Sequence, residues 1–487
     1  MVMGKGSIMQ VLILAALAPS LTAAPSALNP CDVNSDGLVN VIDVQQSVTQ
    51  ALGVATCTTS DINGDGQCNI LDVQRIINAG LGAGCKAGNG ASWYVAPTGS
   101  DSNSCSQATP CRQIAKALTI VHPGDTIFVV DGTYSVFSVD SLTGTAANPI
   151  TIQALGQNAN ILPQSGVRDT IFVTFSSYIV LDGLRSFNAN RAAVRIDNSP
   201  NVTVRNGVFG NNAEWGIFTD FSDHLLIQNN ECYGSVGQHG IYVSNSGDWP
   251  IVRGNRLHDN AGAGVQLNAD ASQGGDGIIT GALLEDNVIY NNGSSGGGAI
   301  NLDGVQQSTI RNNLLYNNHA SGITMFQIDG AQGPAGNLVY NNTIDMAADG
   351  RWGLRIDSSV GVNNVRDNIF YNHNPNHGGI DFTNATDVAN TNSDYNIFGG
   401  GNPAVTPDDG STFYTLAQWQ AQSHESHSLM ATLAGLFVNA SSADYHLLLT
   451  SPAIDKGQTL AAVTADMDGN ARPLGPASDI GCYEFPK

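Results

Sequence analysis

The segment TIRNNLLYNNHASGITM, residues 309–325, carries the phrase from which most of the chain is built. A β-branched or leucine triplet runs into a polar turn, apolar residues follow, and a small residue opens an alternating tetrapeptide. From Ile179 to Phe382 the phrase recurs. Its tetrapeptides are AVRI (from Ala193), GIFT (Gly216), GIYV (Gly240), GVQL (Gly264), AINL (Ala299), GITM (Gly322), GLRI (Gly353) and GIDF (Gly379), starting 23 to 35 residues apart. Between them run LLIQNNEC, IVRGNRL, LLEDNVIY, TIRNNLLY, LVYNNTI and NVRDNIF, which align Asn230, Asn255, Asn287, Asn313, Asn342 and Asn368 in one column. A period of this length is the mark of a stacked repeat.

Short strands that bury alternate residues and pair with the same strand one coil away give a solenoid in which no coil is stable alone. An Asn repeated at one bend can stack its amide on the next coil's and satisfy turn backbone that faces inward. The pattern from Trp93 onward resembles right-handed parallel β-helix proteins of the pectate-lyase type, and the fold expected is an all-β right-handed parallel β-helix. Trp93–Asp101 leads into it, and Arg112–Val121 reads as a helix closing the first coil, with a strand from Thr126 to Val130. Asp125 and Asp131 read as turn formers.

The 487 residues carry a formal net charge of −22, 55 glycines and only 12% charged residues. An acidic chain without basic clusters excludes nucleic acid and anionic membrane as expected partners. Residues 1–24 place Lys5 before an apolar run, Ile8 to Ala18, and then small residues. That is the form of a secretory signal, and the run is too short for a membrane span, which needs about 20 residues. Export suits the eight cysteines. Cys31 with Cys85, Cys57 with Cys68 and Cys105 with Cys111 are the expected pairs, and Cys232, on an apolar strand position, is expected to be a buried thiol.

Within residues 30–86 a twelve-residue loop occurs twice. Its first copy runs from Asp32 through Asn34, Asp36, Gly37, Leu38 and Asn40 to Asp43, and its second from Asp61 through Asn63, Asp65, Gly66, Gln67 and Asn69 to Asp72. Positions 1, 3, 5, 9 and 12 bear side-chain oxygens, position 6 is Gly, and position 7 (Leu38, Gln67) offers a backbone carbonyl, a set that wraps Ca²⁺. Helical runs Val44–Leu52 and Val73–Leu81 follow. A duplicated loop and helix with Asp at position 12 resembles a type I dockerin, implying two calcium ions and a cohesin-type partner met through loop positions 10 and 11. Those positions are Val41-Ile42 and Ile70-Leu71, apolar where the family commonly has hydroxyls. A linker is expected at 87–92, the β-helix at 93–400 and a closing tail at 401–487.

In lyase-like β-helices the glycan groove lies on the strand that here reads G-I-x-h. Outward positions on successive strands are Arg195/Asp197, Phe218/Asp220, Tyr242/Ser244, Gln266/Asn268, Asn301/Asp303, Thr324/Phe326, Arg355/Asp357 and Asp381/Thr383. Rings that stack on sugars and polar groups that read hydroxyls suit an elongated polysaccharide. Phe218, Asp220, Tyr242, Gln266, Asn301, Phe326 and Arg351 are candidate substrate contacts. Asp303, Asp357, Asp381, His239 and Arg355 are candidate catalytic groups. With rungs about 4.8 Å apart, Asp357 and Asp381 sit near a retaining spacing and Asp303 and Asp357 near an inverting one. Segments 268–280 and 328–337 should wall the groove, and Asp270 and Asp276 could hold a further calcium. No Lys lies between Lys116 and Lys456, so a lysine base of the kind some related lyases use is excluded. Lyase, hydrolase and non-catalytic glycan-binding readings therefore stand side by side, for a secreted chain expected to act as a monomer. The terminal segments Asp466–Pro473 and Asp479–Phe485 resemble the tail called choice-of-anchor Q, which implies extracellular placement, and His424, Glu425 and His427 read as a solvated loop.

Overall fold

The computed structural model describes residues 29–62, 67–83, 85, 90–400 and 403–486. The leader at 1–24, Asn63 and Asp65 of the second loop, and residues 87–89 of the linker lie outside them. Two compact units divide at residues 87/88.

In the smaller unit, helices α1 (Val41–Ala51) and α2 (Ile70–Asn78) pack over Cys31, Val33, Ile62 and Ile76. Both begin three residues before the predicted start, because Asn40 and Asn69 close capping boxes. Asn40 accepts the Ile42 N–H (2.8 Å) while Asp43 accepts the Asn40 N–H (2.8 Å); Asn69 and Asp72 repeat this at 2.8 and 2.9 Å. Disulfides Cys31–Cys85 and Cys57–Cys68 hold this unit, and Cys105–Cys111 lies at the start of the larger one. Cys232 and Cys482 are buried thiols.

The larger unit is a parallel β-solenoid. Face A has twelve strands, from Ser92–Val95 to Thr391–Asp394. Face B has twelve, from Gly132–Tyr134 to Leu429–Met430, and face C eleven, from Phe137–Asp140 to Val405–Thr406. Coils therefore continue past the expected limit at residue 400. Inside face C one file runs Val194, Ile217, Ile241, Val265, Ile300, Ile323, Leu354, Ile380 and Val405, all buried and in register. The small residue opening each tetrapeptide is enforced by crowding: a Cβ on Gly322 would come within 2.3 Å of the Gly353 carbonyl oxygen. The predicted cap over the first coil is shorter than 112–121, a helix at Ile114–Leu118 whose Ile114, Ala117 and Leu118 plug the core. Asp125 accepts N–H groups from Ala91, Trp93 and His122, and Asp131 accepts one from Asn158, as turn formers should.

Side-chain ladders tie the coils together at the corners. At the A-to-B corner each Asn side-chain oxygen accepts the backbone N–H of its counterpart one coil earlier, from Gly207 to Asn230 (2.9 Å) through Asn313 to Asn342 (3.0 Å) and Asn368 to Asn396 (3.0 Å). The preceding residue sits in left-handed space (Asn229 φ 55°, Asp286 56°, Asn312 52°, Asn341 51°, Asp367 57°). Asn and Asp tolerate that region, which explains the recurring NN and DN pairs. Glu425 and Ser428 end the ladder at Asn396, so Glu425 is a buried structural group and not part of a solvated loop. A second ladder, Asn260–Asn292–Asn318, occupies the B-to-C corner, and a Ser/Asn series including Ser199, Ser222, Ser308 and Asn337 the C-to-A corner.

The tail does more than close the end. It folds back along face B, where Leu436, Phe437, Tyr445, Leu447, Ile480 and Cys482 cover the outward Leu314, Ile369 and Ile397. Among the described residues no helix is long and apolar enough to cross a membrane.

Candidate functional site

The outward row of face C runs in unbroken register through Phe172, Arg195, Phe218, Tyr242, Gln266, Asn301, Thr324, Arg355, Asp381 and Thr406. Its early half is aromatic and cationic. Trp215 stacks on Phe218 (centroids 4.4 Å, 19°), Tyr242 meets Phe218 edge-on at 5.4 Å, and Arg191 and Arg195 lie 5.9 and 5.5 Å from the Phe218 ring. Sequence reading missed Trp215 and Arg191, which precede their tetrapeptides; the aromatic next to Gly216 was the available signal.

Beyond Tyr242 the row becomes polar. The Asn301 amide donates to Gln266 Oε1 (2.6 Å), and the Thr324 hydroxyl donates to Asn301 Oδ1. There a cavity of about 370 Å³ opens, lined by Asn301, Thr324, Phe326, Arg351, Arg355 and Asp357 among others. Asp357 Oδ1 accepts the Ser358 and Thr383 hydroxyls, each at 2.9 Å. Arg355 pairs with Asp381 and, at 2.8 Å, with Asp409. Burial alone would lower its pKa, but the bond to Asp409 and the charges of Asp381, Asp409 and Asp357 hold it above the usual value. The Arg351 guanidinium makes no ion pair among the described residues, and it donates to the Gly297 carbonyl at 3.4 Å.

Several expected site residues do other work. Asp303 is 2% exposed and accepts backbone N–H groups from Ile328 (2.8 Å), Asp329 (2.9 Å) and Gly330 (3.2 Å), so it anchors the wall loop. Asp381 is fully buried under Arg355 and Thr406, and burial pushes its pKa up against their pull. His239 Nδ1 accepts the Ala263 N–H (2.8 Å), and burial drives its pKa down to about 4, leaving a neutral ring beside Tyr242. Gln266, though in the row, is buried with its Oε1 taken by the Asn301 amide, and Asp220 accepts the Asn245 amide at 2.6 Å. The 268–280 and 328–337 segments do meet, through Ala271 N–H to Asp329 O (3.0 Å) and Ala331 N–H to Gly277 O (2.8 Å). Asp270 and Asp276, however, each bond the N–H two residues on, and no group of three or more His, Cys, Asp or Glu able to hold an ion occurs there among the described residues.

In the smaller unit, Asp32 takes the N–H groups of Asp36 (3.0 Å) and Gly37 (2.8 Å), and Asn34 takes that of Asp36 (2.9 Å). Asp43, fully buried, turns back from α1 to the Asn34 N–H (3.2 Å), and Asp72 does the same to Ile62 (3.0 Å). An all-oxygen donor set drawn inward by a capping box fits a hard cation. Residues 30–79 match the dockerin type I family. This is a dockerin type I domain. Such domains bind calcium. Four apolar side chains on this dockerin, Val41, Ile42, Ile70 and Leu71, are 68%, 52%, 73% and 60% exposed in the first turns of α1 and α2.

Residues 157–281 match the family described as right handed beta helix region. Among solved structures, pectate lyase Pel9A is similar over 81% of this chain and 96% of its own, at 15% identity and a TM-score of 0.51. An alginate lyase from Paenibacillus sp. str. FPU-7 (61% and 99% covered, 19% identity, TM-score 0.44) and PfbA, a surface adhesin of Streptococcus pneumoniae (57% and 84%, 12%, 0.41), are also similar. At these identities the likeness to Pel9A establishes the fold alone. No curated protein matches the chain significantly.

Proposed function

We propose that this is a secreted carbohydrate-active protein whose face C groove binds and cleaves a polysaccharide, and whose dockerin attaches it to a cohesin-type partner. The observation that carries the reading is the cavity lined by Asn301, Thr324, Phe326, Arg351, Arg355 and Asp357, within a continuous aromatic and polar row. Phe326 supports a sugar face and Asn301 and Thr324 read hydroxyls.

Elimination is favoured over hydrolysis. A glycosidase of the usual type needs two carboxyl groups flanking the bond, yet Asp303 is saturated by backbone N–H groups and Asp381 by Arg355 and Thr406. On a uronate unit, Asp357 then serves as the base that takes the C5 proton, while Arg351 and Arg355 meet the negative charge developing on the sugar carboxylate; the C4=C5 double bond forms as the C4–O4 bond breaks, and the departing oxygen takes a proton from water. The same engagement of Asp303 and Asp381 also supports the second reading, a groove that holds glycan without cutting it.

The first dockerin loop takes one calcium through Asp32, Asn34, Asp36, Leu38 O, Asn40 and Asp43, and the second loop takes another through Asp61, Asn63, Asp65, Gln67, Asn69 and Asp72. Exposed Val41, Ile42, Ile70 and Leu71 suit a cohesin-type surface that is itself apolar. The test is incubation with a polysaccharide panel, following ultraviolet absorbance of unsaturated ends and release of reducing sugar. Absorbance supports elimination, reducing sugar alone supports hydrolysis, and retention without product supports binding only.

A further inference from the structure

Face B carries a second surface that the groove does not use. Its outward row places Tyr233, His258, Tyr290 and Tyr316 on successive rungs, with centroids 5.2, 4.7 and 4.8 Å apart and planes within 6° of parallel. The next rung breaks the stack with Asp345. That carboxylate is 7% exposed, accepts the Tyr445 hydroxyl at 2.7 Å and faces His373 Nε2 at 3.0 Å. The returning tail packs Tyr445 over Tyr316 (centroids 5.6 Å), but its short turn at Ala440–Ser442 does not fill the space beside them.

What remains is a cavity of about 460 Å³ lined by Tyr316, Asn317, Asp345, Met346, His373 and Tyr445 among others. This volume falls within the range of small-molecule sites. The Tyr316 hydroxyl has no partner among the described residues, and Asn317 donates to Asn291 (2.6 Å), which leaves the Asn317 carbonyl oxygen free to accept. Side-chain acceptors and donors set around aromatic surface match a polyhydroxylated ring. The buried carboxylate and the absence of Arg or Lys in the lining disfavour an anion.

We propose that this cavity is a second glycan-binding site, specific for a neutral sugar unit, on the face adjoining the groove face and completed by the returning tail. It is independent of the chemistry in the face C groove. It would hold one branch or a neighbouring chain while that groove engages another.

The experiment is saturation-transfer NMR on the full chain with the methyl β-glycosides of glucose, galactose, xylose and mannose as probes. Variants are His373→Ala, Ser441→Trp (an exposed plug at the tail turn that leaves the solenoid untouched) and Arg355→Ala in the groove. Transfer to at least one probe is expected, with a component that His373→Ala weakens about tenfold, the scale of one lost polar contact, that Ser441→Trp abolishes, and that Arg355→Ala leaves unchanged. No transfer to any probe overturns the proposal. Transfer undiminished by Ser441→Trp also overturns it, and if that transfer disappears in Arg355→Ala the sugar belongs to the groove, which leaves the groove reading standing. Unchanged thermal unfolding of His373→Ala and Ser441→Trp separates lost binding from lost folding.

Discussion

Replacing Asn313 by Ala removes one rung of the A-to-B ladder, and the structure sets the cost. The Asn313 oxygen accepts the Asn287 N–H (3.1 Å) and the Asn287 amide (2.9 Å), and its own amide donates to the carbonyls of Leu284 (2.9 Å) and Arg311 (3.0 Å) and to Asn342 Oδ1 (2.9 Å). Asn287, Asn313 and Asn342 are all buried, so water cannot replace what is lost. The Asn287 N–H would lose its acceptor, whereas Asn342 Oδ1 keeps the Asn313 backbone N–H and the Asn287 amide keeps the Val252 carbonyl. At about 1–3 kcal/mol for a buried group left unsatisfied, the substitution should cost about 1–3 kcal/mol. Asn317 makes an amide contact of the same kind to Asn291 Oδ1 (2.6 Å), but at an exposed position. Asn317→Ala should cost under about 0.5 kcal/mol, as surface changes do. Both variants are compared with the parent by urea denaturation followed through tryptophan fluorescence, and by hydrogen exchange at the Asn287 amide. An Asn313→Ala midpoint equal to that of Asn317→Ala, with Asn287 still protected, would refute the ladder as a source of stability.

Other outcomes are expected on the same footing. Asp367, where the tail docks, accepts the Gln458 N–H on both oxygens (3.0 Å), and burial raises its pKa from 3.8 to about 7. The folded state therefore holds a proton that the unfolded state releases, and stability present below pH 4 is lost as pH rises through 7. Three pK units correspond to about 4 kcal/mol, so Asp367→Asn should flatten the calorimetric dependence of melting on pH between 4 and 8. Chelation of calcium should lower the melting of the dockerin and leave the solenoid transition in place, and Asp36→Ala should weaken calcium binding in a titration by about tenfold or more. In the groove, Asp357→Asn should reduce cleavage by about 10²-fold or more, the scale of a lost proton-transfer group. Asp303→Asn should instead loosen the 328–330 wall, raising KM more than it lowers kcat.

Much of the architecture was legible because it is local and repeated. The alternation in GIYV or GITM, the NN and DN corners and the duplicated calcium loop each state their own geometry within a few residues, and repetition multiplies a weak signal. The expected outward row from Arg195 to Asp381 is the row observed, since register in a solenoid follows from coil alignment. Cysteine positions likewise anticipated all three disulfides. Helix starts in the dockerin were missed by three residues because capping by Asn40 and Asn69 competes with the apolar period. The other two corner ladders are less legible in the sequence, since Ser235 interrupts the Asn column at one corner and Ser and Asn share the other.

The sequence by itself determined the coil, the direction each strand residue faces and the oxygen-rich calcium loops, because those depend on periods of two residues or on spacing within one loop. Only the tertiary structure decided which aspartates are open to ligand. Asp303 and Asp357 hold the same place after their tetrapeptides and Asp381 the other outward place, all three facing out by pattern, yet one is bound by the wall loop, one by Arg355, and Asp357 alone of the three borders the cavity. The same holds for the tail, whose Tyr445 reaches Asp345 one hundred residues earlier. Contacts between segments so far apart follow from packing and burial in three dimensions, which no local period records.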